Sequence, residues 1–175
     1  MTSTFKLTCL ATLLGTCTLL AFALRLSSAP APEGDEHTET HVYATWDRFE
    51  VDRCVAAWLI KRFVDPDAEF EFYPVGSPIP SKGCIAFDTP GARYTRVAGK
   101  SVSAVVLAEA SIEGPAVQRI VQLVQATEVA FWMLQPGSQE ANLRDALQAL
   151  WMQASHPEAR LQPIFAYLDE LAGIE

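Results

Sequence analysis

Hydrophobic and polar positions follow different rules in successive parts of the chain. The uncharged run Leu7–Leu24 is apolar almost throughout and closes at Arg25. Residues 26–40 then carry Pro30, Pro32, Gly34 and the acids Glu33, Asp35, Glu36 and Glu39, a composition with too little apolar surface to order itself. From His41 the pattern is that of a globular domain. The β-branched and aromatic content of His41-Val42-Tyr43-Ala44-Thr45-Trp46 predicts a strand. Val51, Cys54, Val55, Trp58, Leu59 and Phe63 recur in steps of three and four, which predicts an amphipathic helix over Glu50–Val64, ended by Asp65-Pro66. Alternation in Glu69-Phe70-Glu71-Phe72-Tyr73 predicts a second strand with one wet face, and Cys84-Ile85-Ala86-Phe87 a short buried third, ending in Asp88.

Beyond Asp88 helical spacing prevails, near Val102–Ala110, Pro115–Gln125, Gln139–Ala154 and Glu158–Ala172. Breaks fall at Gly114-Pro115, Pro136-Gly137 and His156-Pro157. The expected class is α/β: a small mixed or partly parallel sheet with a βαβ-like start and a mainly helical C-terminal half. The expected organisation is a signal peptide or membrane anchor over 1–25, a disordered acidic and proline-containing tether over 26–40, and a folded domain over 41–175.

The N-terminal run satisfies two readings. A cleavable signal needs a short apolar core and small residues at the cut, which Ser27-Ser28-Ala29 supply; a run of roughly 18 apolar residues can also span a bilayer. Either way the expected location is exported, periplasmic or anchored to the outer face of the inner membrane, with membrane contact through residues 7–24 if uncleaved. Loss of Lys6 and Arg25 would leave 11 of the 13 basic residues against all 21 acidic ones, a balance of −10. Such a surface repels nucleic acid, so no nucleic-acid partner is expected, and a bound anion needs a local cationic pocket. Cys54 and Cys84 are the cysteines of the folded part, and their spacing leaves both a bridge and two free thiols open.

Candidate chemistry gathers on the first helix and after the third strand. Asp52 and Arg53 fall in the helix's first turn, where an acid complements the dipole; Lys61 and Arg62 fall in its last turn. Asp88 follows a buried strand, and in α/β sheets ligands bind at the carboxyl ends of strands. A carboxylate there can bind a metal, orient an arginine or act as a base, or simply form an Asx turn. His37 and His41 stand among acids with no rigid frame to make them chelators. No zinc CxxC pair, nucleophile elbow, phosphate loop or dinucleotide fingerprint occurs.

These residues carry a family resemblance. Trp46-Asp47-Arg48, then Val51-Asp52-Arg53-Cys54-Val55-Ala56-Ala57-Trp58-Leu59-Ile60-Lys61-Arg62-Phe63, continuing to Phe72, resembles the opening of the chromate resistance ChrB C-terminal domain family, with Ile85-Ala86-Phe87-Asp88 and Gly91 matching a later strand that ends in aspartate. The resemblance weakens through the helices. It implies a motif of Trp46, Asp52, Arg53, Trp58 and Asp88, and as metal candidates Asp52, Asp88 and Glu128 around a divalent ion. Family members carry a histidine and a cysteine where this chain has Tyr94-Thr95-Arg96 and Ser101-Val102-Ser103. Arginine has no lone pair for a metal, so the departure points instead to anion binding, with Arg53, Arg62, Arg93 and Arg96 as fork donors to a tetrahedral dianion.

The resemblance thus implies an exported accessory protein of chromate resistance that binds chromate or a similar oxyanion and assists its reduction. Sulfate and phosphate are the expected competitors. The other reading is a catalytically silent, membrane-tethered sensing or interaction module acting on a partner such as a chromate transporter.

Overall fold

The computed structural model describes residues 40–174; the expected signal or anchor, the tether up to residue 39 and His37 lie outside the described residues. Strand β1 (Val42–Trp46) is central, flanked in parallel by β2 (Glu69–Tyr73) and β3 (Ile85–Ala86), in the order β2-β1-β3. Tyr43 stands opposite Phe70 on one side and Ile85 on the other. With both edges paired, Tyr43, Ala44 and Thr45 are buried, as expected of a central parallel strand. The partly parallel start is therefore parallel in all three described strands.

The helix between β1 and β2 runs as α1 (Val51–Leu59) and then widens into a π-helical turn, Ile60–Val64, in which Asp65 N donates to Ile60 O at 2.8 Å. All nine residues of α1 are buried. The apolar stripe was legible, but a wet opposite face was expected and does not exist: α2 (Val102–Glu109), α3 (Pro115–Val129), α4 (Gln139–Gln153) and α5 (Pro157–Ala172) all pack against α1. Trp58, Leu59 and Val55 fill the centre with Phe87, Val106, Val124 and Leu168. A helix enclosed on all sides must satisfy its polar side chains internally. Asp52 and Arg53 are the two charged residues in that position.

β3 ends early because Asp88 turns away in the left-handed region at φ +51°, a conformation aspartate tolerates better than most residues. Asp88 N donates to Tyr94 O at 2.8 Å and Thr95 Oγ1 to Thr89 O at 3.2 Å, so residues 88–95 close into a tight excursion at the strand's carboxyl end. Helix α3 runs four residues past its expected end, which carries Glu128 to the same side, and a 3₁₀ turn, Phe131–Met133, follows it. Cys54 and Cys84 are free thiols, the first buried and the second half-buried. Among the described residues no helix is long and apolar enough to cross a membrane.

Candidate functional site

Asp52 enters α1 one residue after its start, and its carboxylate leaves its own helix altogether. Oδ2 accepts Val102 N at 2.6 Å and Oδ1 accepts Ser103 N at 2.8 Å, so Asp52, with none of its surface in water, caps the N-terminus of α2. Ser101 caps the same end from within, accepting Ala104 N at 3.3 Å. The first turn of a helix offers unpaired N–H groups and a positive dipole end, and a buried carboxylate is one answer to both. These two backbone donors satisfy both Asp52 oxygens inside the core.

Arg53 is 2% exposed and ties three segments together. Its Nη1 donates to Arg48 O at 2.6 Å, its Nη2 donates to the Asp88 carbonyl at 3.2 Å, and Nη2 stands 2.7 Å from Asp88 Oδ2 and 3.7 Å from Glu50 Oε1. The contact to Oδ2 is close but not aligned as a hydrogen bond, so Oδ2 and Arg53 Nε both remain buried without a partner. Burial pushes the Asp88 carboxyl up to about 7, against the opposing pull of Arg53 and with the help of Glu50 and Asp52. A carboxyl poised near neutrality in a strained backbone at a strand end has the marks of a functional group.

Arg96 is the outer member of the cluster, with 44% of its side chain in water. Nη2 donates to Glu128 Oε2 at 2.8 Å and lies 3.6 Å from Asp52 Oδ2. The guanidinium thus sits between Asp52 and Glu128. Burial raises the Glu128 carboxyl, and Arg96 only partly offsets it. Gln125 holds the segment that carries Arg96: Nε2 donates to Gly99 O at 2.7 Å and Oε1 accepts Ser101 N at 2.8 Å. A cavity of about 190 Å³ opens here, lined by Asp88, Thr89, Pro90, Thr95 and Arg96. It lies at the carboxyl end of a parallel strand.

The other sequence candidates lie elsewhere. Arg62 is nine residues beyond Arg53, about 13 Å at the rise of a helix, and its Nη2 and Nε grip Asp169 on α5 at 2.7 and 3.0 Å. The four arginines therefore do not converge into one pocket. Arg93 stacks over the Tyr94 ring, 5.1 Å from its centroid. Trp58 donates from Nε1 to Asp169 at 2.8 Å, a core contact, and Trp46 donates to Ser77 O at 2.9 Å beside a larger cavity of about 510 Å³. Among the described residues, the group of three metal-ligand types with atoms within 4.8 Å of one another is His41, Asp65 and Asp67, not Asp52, Asp88 and Glu128. Sequence reasoning missed Glu50, Thr89 and Thr95; only Glu50, three residues before Arg53, left a signal in its spacing.

A family model described as the C-terminal domain of ChrB matches residues 43–174. Protein ChrB of Cupriavidus metallidurans is 32% identical over 88 residues, which make up 50% of this chain and 27% of that protein. The chain thus matches about a quarter of the length of this relative. No solved structure matches the chain.

Proposed function

The chain belongs to the ChrB C-terminal domain family, and from that premise we propose that it is an exported accessory protein of chromate resistance that holds the oxyanion in the cavity beside Asp88 and Arg96. The observation that supports this reading is the Arg96 guanidinium, part-exposed in a residue that lines the cavity together with Thr89 and Thr95. A planar guanidinium matches two oxygens of a tetrahedral oxyanion. Arg53 supports the site from beneath by fixing the Asp88 turn, and is a positioning residue rather than an anion ligand.

The reductive part of the reading gains no thiolate from the described residues. Burial drives the Cys54 thiol far above its ordinary range, and Cys84, also raised by burial, donates to Pro80 O at 3.3 Å. Binding, rather than reduction, is the activity the geometry favours. No divalent ion is assigned to Asp52, Asp88 and Glu128, because Arg96 bridges two of them and Asp52 is committed to α2. The exported location, periplasmic or on the outer face of the inner membrane, rests on the run Leu7–Leu24.

A second reading, a membrane-tethered interaction module acting on a partner such as a chromate transporter, is favoured by one feature. Phe131, Trp132 and Met133 are each about two-thirds exposed on the turn after α3, a cluster more common at contact surfaces than on a bare exterior. Equilibrium dialysis of the full chain against chromate separates the two. Saturable uptake near one chromate per chain supports the oxyanion reading; uptake no greater than that of an unrelated acidic protein supports the interaction module.

A further inference from the structure

The charges around the cavity do not balance. Arg48, Arg53 and Arg96 face Glu50, Asp52, Asp88 and Glu128: Arg48 Nε lies 3.5 Å from Glu50, Arg53 binds Asp88, and Arg96 binds Glu128 and lies near Asp52. α1 contributes Asp52 and Arg53 and the neutral Cys54 thiol, the segment after β1 Arg48 and Glu50, the segment between β3 and α2 Asp88 and Arg96, and α3 Glu128. Counted as ionised, the cluster carries one negative charge too many for a site that receives an anion. Asp52 is fixed by two backbone donors and Glu128 by Arg96. Asp88 meets its arginine, Arg53, through Oδ2 alone.

Its two oxygens differ. Oδ2 is shut away against Arg53 without an aligned donor. Oδ1 receives no hydrogen bond from any described residue and, unlike Oδ2, is not shut away from solvent, in a residue that lines the cavity. The side chain is 8% exposed, so water screens it little. An oxyanion oxygen brought to hydrogen-bond distance of Oδ1 meets a like charge in a poorly screened place, which is strongly unfavourable unless a proton lies between them. At about 30 Å³ per water, the cavity has room for a small tetrahedral anion and part of its hydration.

Building on the oxyanion reading of this site, we infer that the cavity takes up its ligand together with one proton, shared between Asp88 Oδ1 and a ligand oxygen. The proton comes from either side. A protonated Asp88 donates to a fully ionised oxyanion, and an ionised Asp88 accepts from an oxyanion that still carries hydrogen. The upward shift of the Asp88 carboxyl to about 7 agrees with the first arrangement at and below neutrality. Above neutrality only the second remains. Chromate and sulfate are fully ionised there, whereas phosphate persists as hydrogenphosphate. The site thereby discriminates among tetrahedral anions of similar size by whether they bring a proton.

Calorimetric titration of the full chain with sodium sulfate, sodium chromate and sodium phosphate between pH 6 and pH 9 tests this. The expected result is that sulfate and chromate affinities fall by up to about tenfold per pH unit above neutrality, the limit for one proton taken up, while phosphate affinity stays nearly level. In Asp88→Asn, which keeps the shape and tolerates the same backbone angle, the sulfate and chromate profiles flatten. Level, equal affinities for all three anions in the native chain would overturn the shared proton and leave the oxyanion site standing. A steep profile that persists in Asp88→Asn would assign the proton to another carboxylate and overturn the role of Asp88. No binding of any anion at any pH would remove the oxyanion reading and this inference with it.

Discussion

Arg53 Nη2 lies 2.7 Å from Asp88 Oδ2, with 2% and 8% of the two side chains in water. The pair joins the start of the enclosed helix to the strained turn at the end of β3. Its energetic value lies less in attraction than in what either partner leaves behind when the other is removed.

Arg53→Ala is therefore expected to act first on stability. Removing one member of a buried ion pair costs about 3–5 kcal/mol, and here the Arg48 and Asp88 carbonyls lose their donor as well. Urea unfolding at pH 9, where the Asp88 carboxyl is ionised, followed by circular dichroism measures it. A loss below about 1 kcal/mol at that pH would mean that Arg53 is not the post on which the turn stands.

Asp52→Ala removes both acceptors from the N-terminus of α2 and strips Arg96 of one neighbouring charge. A lost cap and buried unpaired donors cost about 1–3 kcal/mol each. Backbone amide exchange at Val102 and Ser103 should quicken more than exchange in α4. Equal protection in both helices would contradict the capping role.

Stability should depend on pH through Asp88. Its folded carboxyl titrates near 7, well above the ordinary unfolded value of about 3.9. The folded state then holds its proton more tightly than the unfolded one. This contribution is fully present below about pH 4 and is lost as pH rises through about 7. Glu128, also raised, acts in the same sense. Native protein should lose stability between pH 5 and pH 8, and Asp88→Asn should lose distinctly less. Parallel slopes in the two proteins would rule Asp88 out as the titrating group.

Arg62 belongs to a different part of the structure, the clasp between the π-helical turn and α5. Asp169 receives Arg62 and Trp58 Nε1, and these bonds outweigh burial to lower its carboxyl. Arg62→Gln exchanges a part-exposed pair worth about 0–1 kcal/mol. Asp169→Ala leaves the buried Trp58 N–H unpaired, about 1–3 kcal/mol. Thermal unfolding should rank Asp169→Ala well below Arg62→Gln, and a reversed order would contradict the clasp.

Much of this frame was legible in the sequence. The three-four spacing from Val51 to Phe63, the alternation in Glu69–Tyr73 and the short apolar run before Asp88 gave the strand-helix-strand start, because each is a local signal. Partners separated by a long stretch of chain were not legible. Asp52 read as a favourable charge on its own helix, yet its donors lie in Val102 and Ser103. Arg53, Arg62, Arg93 and Arg96 read as one cationic pocket because charge is visible in sequence and pairing is not. Full enclosure of α1 was hidden for the same reason, since helices contributed from beyond residue 100 pack against it, with the start of α2 held on Asp52.

In the proposed site Arg96, and not Arg62, receives the oxyanion. Titrating chromate at pH 6.5 into the native full chain, Arg96→Gln and Arg62→Gln, with thermal midpoints checked alongside, distinguishes the two arginines. A charged hydrogen bond is worth about 1.5–3 kcal/mol, so Arg96→Gln should bind at least about tenfold more weakly while Arg62→Gln matches the native protein. Chromate binding that survives Arg96→Gln in a folded protein, or falls equally in both variants, would rule Arg96 out as the anion's ligand.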